Sequence, residues 1–301
     1  MKNIFAFMKR SLLFLPASGE LRILLFVIGL LVGVALVGGS ASLTNNTDNT
    51  AAVASPFIYY FNSIGTLNET GAMLESTSPY WWLNSGGQLL IKDGVGSSIH
   101  GSAPVTNLWR TLYAVSNPVD TDQGTHPQNL FRLVTKSKWQ NFSQEAQFYI
   151  DQNNLSDSPN RNASNGLLLM NRYADSGQTL YYAGIRVDGT AVIKKKYKGT
   201  YYTMAQKAVL PGTYSGSKDE KNLLPHNEWV GLKTETNTNS DGSVRVSLYM
   251  KRENETSWTR LLEATDKGQY GATPPITASG YAGIRTDFMD VRFDMYKLTK
   301  I

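Results

Sequence analysis

The chain contains no cysteine, which removes disulfides, thiol catalysis and thiolate metal ligation together. Histidine is nearly as scarce. His100, His126 and His226 stand far apart, so a histidine-rich metal centre is not expected. Charged residues make up 18% of the 301 residues, a little under the ordinary share. A strong field of one sign is missing as well. The formal charge is +5, but four bases (Lys2, Lys9, Arg10, Arg22) against one acid (Glu20) place more than half of it before residue 23. The remainder is close to neutral, which argues against a nucleic-acid partner. No amphipathic helical period is visible beyond residue 56.

What the chain does have begins with an apolar run. From Ile23 to Thr47 there is no charged residue, and Ile23 to Val37 is almost entirely Leu, Ile, Val, Phe, Gly and Ala. About 20 such residues can cross a hydrocarbon core as a helix. The basic residues before the run orient it with the amino terminus in the cytoplasm and the bulk of the protein outside. The expected organisation is a basic cytoplasmic segment at 1–22, a transmembrane helix or uncleaved signal anchor at 23–43, a flexible stalk at 44–56 and one large domain at 57–301. A cleaved signal peptide is the alternative, with Gly39 and Ala41 at the small-residue spacing of a cleavage site. Either way the large domain is expected to be extracytoplasmic, held at the cell membrane by a single pass in the first case.

The large domain reads as strand and turn. Tyr-Ala-Gly-Ile-Arg occurs twice, at 182–186 and 281–285, and in each copy an Asp follows two positions on, Asp188 and Asp287. The first copy opens three strands, Leu180–Val187, Thr190–Tyr197 and Thr200–Met204. They are separated by Asp188-Gly189 and Lys198-Gly199, both read as tight two-residue turns. Gln144 to Asp151 alternates Ala146, Phe148 and Ile150 against polar neighbours. Trp229–Thr236 and Ser243–Arg252 form a hairpin with Val244, Val246, Leu248 and Met250 on one face. Short strands with no parallel-sheet alternation predict an all-β, antiparallel two-sheet jelly-roll sandwich. Two copies of one strand suggest two similar sheets.

Three stretches resemble the concanavalin A-like lectin/glucanase superfamily in its laminin-G-like and polysaccharide-processing branches. They are Leu168–Arg172 leading to Tyr181–Arg186 and Asp188-Gly189, then Asn227–Lys233 with its Trp-x-x-Leu-Lys pattern, and Gly280–Lys297. The resemblance implies two curved antiparallel sheets whose faces or rim loops often bind glycans, and it includes members with no sugar chemistry. A family glucanase would carry Glu-x-Asp-x-x-Glu, which is absent here, as is the Gln-x-His strand of alginate-lyase-like members. The resemblance also implies a possible structural Ca²⁺, for which Asp294 is the candidate ligand.

Aromatic and cationic residues carry the functional expectation. Trp81, Trp82, Tyr182, Tyr201 and Tyr202 are candidates to stack on sugar rings, with Arg132, Arg172 and Arg186 donating to hydroxyls or uronic carboxylates. Lys194 and Lys196 share one face of a strand with Lys195 opposite, read as a solvated edge. Strand alternation puts Tyr182 and Arg186 on one face and Tyr181, Ala183, Ile185 and Val187 toward the core. The expected function is recognition of a glycan, cell-envelope polysaccharide or other surface ligand without catalysis. The alternatives are a polysaccharide lyase or glycoside hydrolase of the same fold, and a structural envelope protein.

Overall fold

The computed structural model describes residues 54–217 and 222–301. The expected cytoplasmic segment, transmembrane helix and most of the stalk lie outside the described residues. Among those described, no helix is long and apolar enough to cross a membrane.

Sixteen strands and one α-helix make up the described part of the domain. In chain order they are β1 (Phe57–Tyr59), β2 (Gly65–Asn68), β3 (Trp81–Ser85), β4 (Gln88–Lys92), β5 (Val95–Ser97), α1 (Leu108–Ser116), β6 (Leu130–Trp139), β7 (Phe142–Asn153) and β8 (Gly166–Ala174). They continue as β9 (Thr179–Arg186), β10 (Thr190–Tyr197), β11 (Thr200–Ala208), β12 (Trp229–Thr238), β13 (Val244–Arg252), β14 (Thr259–Asp266), β15 (Gly280–Asp287) and β16 (Met289–Lys300). A seven-stranded sheet runs β11-β10-β9-β8-β15-β6-β3. A nine-stranded sheet runs β14-β13-β12-β7-β16-β5-β4-β2, with β1 also paired to β16. Every pairing is antiparallel. The domain is an all-β, two-sheet antiparallel sandwich.

Period-two alternation builds the space between the sheets. Leu167, Leu169, Ile185 and Ile284 of the seven-stranded sheet meet Phe148, Ile150, Val291 and Phe293 of the nine-stranded one. Tyr181, Ala183, Val244, Val246 and Leu248 form a second patch of the same layer. The alternate positions of the seven-stranded sheet are apolar too. Val134, Leu168, Met170, Leu180 and Val192 form a third cluster with Trp82 and Tyr182, on the sheet's outer face.

The two Tyr-Ala-Gly-Ile-Arg copies lie in one sheet, not in two. They are β9 and β15, which flank β8 and run in the same direction. Each glycine stands where the next strand's backbone comes very close. A Cβ on Gly184 would lie 2.0 Å from Leu167 O, and one on Gly283 2.3 Å from Leu133 O. The glycine is thus required by strand approach, and gives a ligand no extra room. Each arginine then pairs with the aspartate two positions on, Arg186 with Asp188 at 2.8 Å and Arg285 with Asp287 at 2.9 Å.

Other expectations need correction. At the first turn Gly189 N donates to Arg186 O and Gly189 alone has positive φ, 76°. This is the three-residue hairpin loop, a type I turn closed by a left-handed glycine, and not the two-residue form. Lys198 and Gly199 do both have positive φ, 48° and 89°, between the paired residues Tyr197 and Thr200. A helix also occurs where none was expected. α1 is capped by Asn107, whose side chain accepts from Trp109 N at 2.8 Å, and it buries Trp109 and Tyr113, one turn apart.

Candidate functional site

The outer face of the seven-stranded sheet has an apolar floor and a cationic, aromatic rim. Arg132 of β6 and Arg285 of β15 are directly opposite across the strand pair. With Met170, Leu180, Tyr182, Tyr173, Lys196 and Tyr201 they line a narrow cleft of about 30 Å³. Like charges directly opposite on paired strands are destabilising. Here the relief is partial. Arg285 is held by Asp287, whose charge keeps it firmly protonated, while among the described residues Arg132 donates to the neutral Asn84 Oδ1, at 2.6 Å, and its charge acts on the buried Glu69 carboxyl.

β10 and β11 add the rest. Lys194 and Lys196 lie over the Tyr201 ring, 5.9 and 4.8 Å from its centroid, and Tyr182 meets Tyr201 edge to face at 6.0 Å. Burial and the neighbouring Arg186 lower the Lys194 pKa. Burial alone would push the Tyr201 phenol up, but the charges of Arg285 and Lys196 overbalance it and hold the phenol below its ordinary range. Tyr182, buried among apolar neighbours, is pushed up. The face can therefore offer several cationic donors and aromatic rings to a ligand lying across it.

The outer face of the nine-stranded sheet is also rich in cations and aromatics, but most of its cations have an acidic partner. Lys233 lies 4.2 Å from the Tyr249 centroid and is bonded to Glu235 at 2.9 Å. Arg292, over Tyr149 at 4.7 Å, is paired with Asp151. Lys297 is paired with Glu145. The seven-stranded face thus has the stronger claim as an anion site.

The structure separates the sequence-predicted residues. Arg132 and Tyr182 come together in the cleft. Arg186 is half-buried on the same face, its Nε donating to Ala163 O at 2.6 Å. Trp81 is 1% exposed, packed against Tyr59, Phe61 and Tyr296, and offers no free ring face in the cleft. Trp82 is buried in the floor, its Nε1 donating to Thr70 O. Arg172 is wholly buried and bonded to the Gln140 and Ile276 carbonyls and to Asn141 and Thr238, so it clamps loops and has no reach to a ligand. Tyr202 is on the opposite side of β11 from Tyr201, against Gly271. Lys195, far from being a solvated residue, is fully buried. β10 is an interior strand.

Among the described residues no group of three acidic or histidine side chains forms a metal site, and one Asp294 oxygen accepts the Met295 N–H. The histidines are held in local polar contacts, His100 with Asp151, His126 with Asp122, and His226 between Leu224 O and Asn153. Arg285 was missed by sequence reasoning, although the repeated pentapeptide marked it as the partner of Arg186. The strand of Lys194–Lys196, expected at a solvated edge, lies inside the sheet.

No family model and no curated protein matches the chain. Among solved structures, a carbohydrate-binding module from Bacillus subtilis is similar at 14% identity, covering 57% of this chain and 82% of that one, with a TM-score of 0.39. A GH43 protein from Bacillus licheniformis is similar at 11% identity and a TM-score of 0.42. The match covers 81% of this chain but only 39% of that protein, so most of its length has no counterpart here. A β-glucanase from the same organism is similar at 10% identity, covering 82% of this chain and 99% of that one, with a TM-score of 0.42. Likenesses this distant carry no argument about family, ligand or reaction.

Proposed function

We propose that the chain is a concanavalin A-like, glycan-binding protein whose outer seven-stranded face recognises an acidic polysaccharide without altering it. The observation that carries this reading is the juxtaposition of Arg132 and Arg285 over an apolar floor, beside Lys196, Tyr182 and Tyr201. Guanidinium pairs suit planar carboxylate or sulfate groups, and the tyrosine rings supply apolar area with a polar tip. Binding of polygalacturonate, alginate and a neutral control polymer, measured calorimetrically, tests it. The expected result is acidic-polymer binding that weakens with salt. Equal binding of neutral and acidic polymers would count against it.

A lyase acting on such a polymer is the second reading, favoured by the lowered Tyr201 phenol beside Arg285. The Tyr201 oxygen, acting as base, would take the proton next to a uronate carboxylate neutralised by the arginines. The ring double bond would form as the glycosidic C–O bond breaks, and the Tyr201 hydroxyl would return the proton to the departing oxygen. Accumulation of unsaturated product on incubation with alginate or polygalacturonate, abolished by Tyr201→Phe, would replace the binding reading with this one. In either case residues 23–43 are proposed to anchor the protein with the domain outside the cell. Retention in membranes after carbonate extraction is the expected outcome, and a soluble chain starting near Ser42 would contradict it.

A further inference from the structure

A second cleft among the described residues is remote in chemistry from the cationic face. It has a volume of about 560 Å³, within the range of small-molecule sites, and lies where the chain enters the domain. Its walls are aromatic. Tyr59 and Tyr80 meet edge to face at 5.9 Å, and Tyr59 meets Trp81 at 5.6 Å. Tyr60 and Tyr80 are 46% and 44% exposed, so both present ring area to a ligand. The polar part of the lining consists of amide and hydroxyl groups, including Asn62, Ser63 and Thr77, and no charged side chain contributes. Trp81, a wall residue, has a buried indole N–H with no acceptor among the described residues.

We propose that this cleft is a second binding site, for an uncharged sugar. Aromatic rings match the apolar C–H faces of a pyranose, and side-chain amides and hydroxyls match its equatorial hydroxyls. An anionic ligand would find no cation in the lining. A purely apolar ligand would leave the amide and hydroxyl groups unpaired. The domain then reads two different chemistries, charge on the sheet face and neutral sugar at the entry end. The inference does not depend on the acidic-glycan reading, because it uses none of the same residues.

The test is calorimetric titration of the full chain with five neutral oligosaccharides: cello-, xylo-, manno-, laminari- and maltotetraose. At least one should bind. Tyr60→Ala and Tyr80→Ala should each weaken that binding at least tenfold and leave polygalacturonate binding within twofold. Both tyrosines are about half exposed, so the variants should fold, which circular dichroism checks, and Asn62→Ala supplies a milder probe of the polar rim. Binding of none of the five at millimolar concentration would overturn the proposal. So would neutral-sugar binding that survives both tyrosine changes or is lost in Arg132→Gln. Loss of acidic-polymer binding to the wild-type protein would sink the sheet-face reading and leave this one standing.

Discussion

Arg172, Lys195 and Glu69 are ionisable side chains enclosed by the fold, and each is held by a specific set of partners. Lys195 pairs with Asp266 at 2.7 Å and donates to the carbonyls of Thr273 and Pro274, while Tyr181 donates to the same aspartate at 2.6 Å. Removing one member leaves a buried charge uncompensated, so Lys195→Ala should cost about 3–5 kcal/mol in a denaturant titration. Glu69 accepts from Gly87 N at 2.9 Å and from the Tyr113 hydroxyl at 2.7 Å. Burial pushes its pKa up from 4.5 to about 7 against those bonds. The folded state therefore holds this proton more tightly than the unfolded chain. The stability it contributes is intact below about pH 4.5 and lost as pH rises through 7, up to about 3 kcal/mol in all. Glu69→Gln should flatten that slope in denaturant midpoints measured from pH 4.5 to 8. A midpoint that falls over this range by the same amount in the wild type and in Glu69→Gln would show that Glu69 does not supply it.

At the scale of elements, the repeated strand is the unit that organises the candidate site. In β9 and β15 it sets a tyrosine and an arginine on the outer face and a glycine against the next strand. Gly184→Ala should destabilise the domain by about 2 kcal/mol or more, because its Cβ would collide with the backbone of β8. Gly65→Ala is the control, since nothing lies within 4 Å of its Cβ. Its midpoint should change by less than about 0.5 kcal/mol. Equal effects at the two positions would mean that the close approach has no energetic weight. The strand period was legible in the sequence, which is why Tyr182 was assigned opposite to Tyr181 and Ile185 and is found there. Sheet membership was not. Alternation says which residues share a face of a strand but not which strand lies beside it, so β9 and β15 were assigned to different sheets and Lys195 to a solvated edge. Trp81 and Arg172 were misread for a related reason. Their partners, Tyr296 for the one and Ile276 and Thr238 for the other, are distant in sequence. α1 escaped notice because only its Asn107 cap and one buried pair mark it.

For the whole molecule, two sheets with similar surface chemistry differ in how their charges are spent. The nine-stranded face pairs most of its cations internally, and the seven-stranded face keeps Arg132 beside Arg285 with Asp287 as the counter-charge to Arg285. The decisive measurement is calorimetric binding of polygalacturonate and alginate to the wild type, to Arg132→Gln and to Lys251→Gln. Lys251 lies on the other sheet, 5.2 Å from the Trp258 centroid. A charged hydrogen bond is worth about 1.5–3 kcal/mol, so Arg132→Gln should weaken binding roughly tenfold or more with the thermal midpoint little changed, and Lys251→Gln should bind as the wild type does. Undiminished binding by Arg132→Gln, or a loss confined to Lys251→Gln, would contradict the assignment of the seven-stranded face.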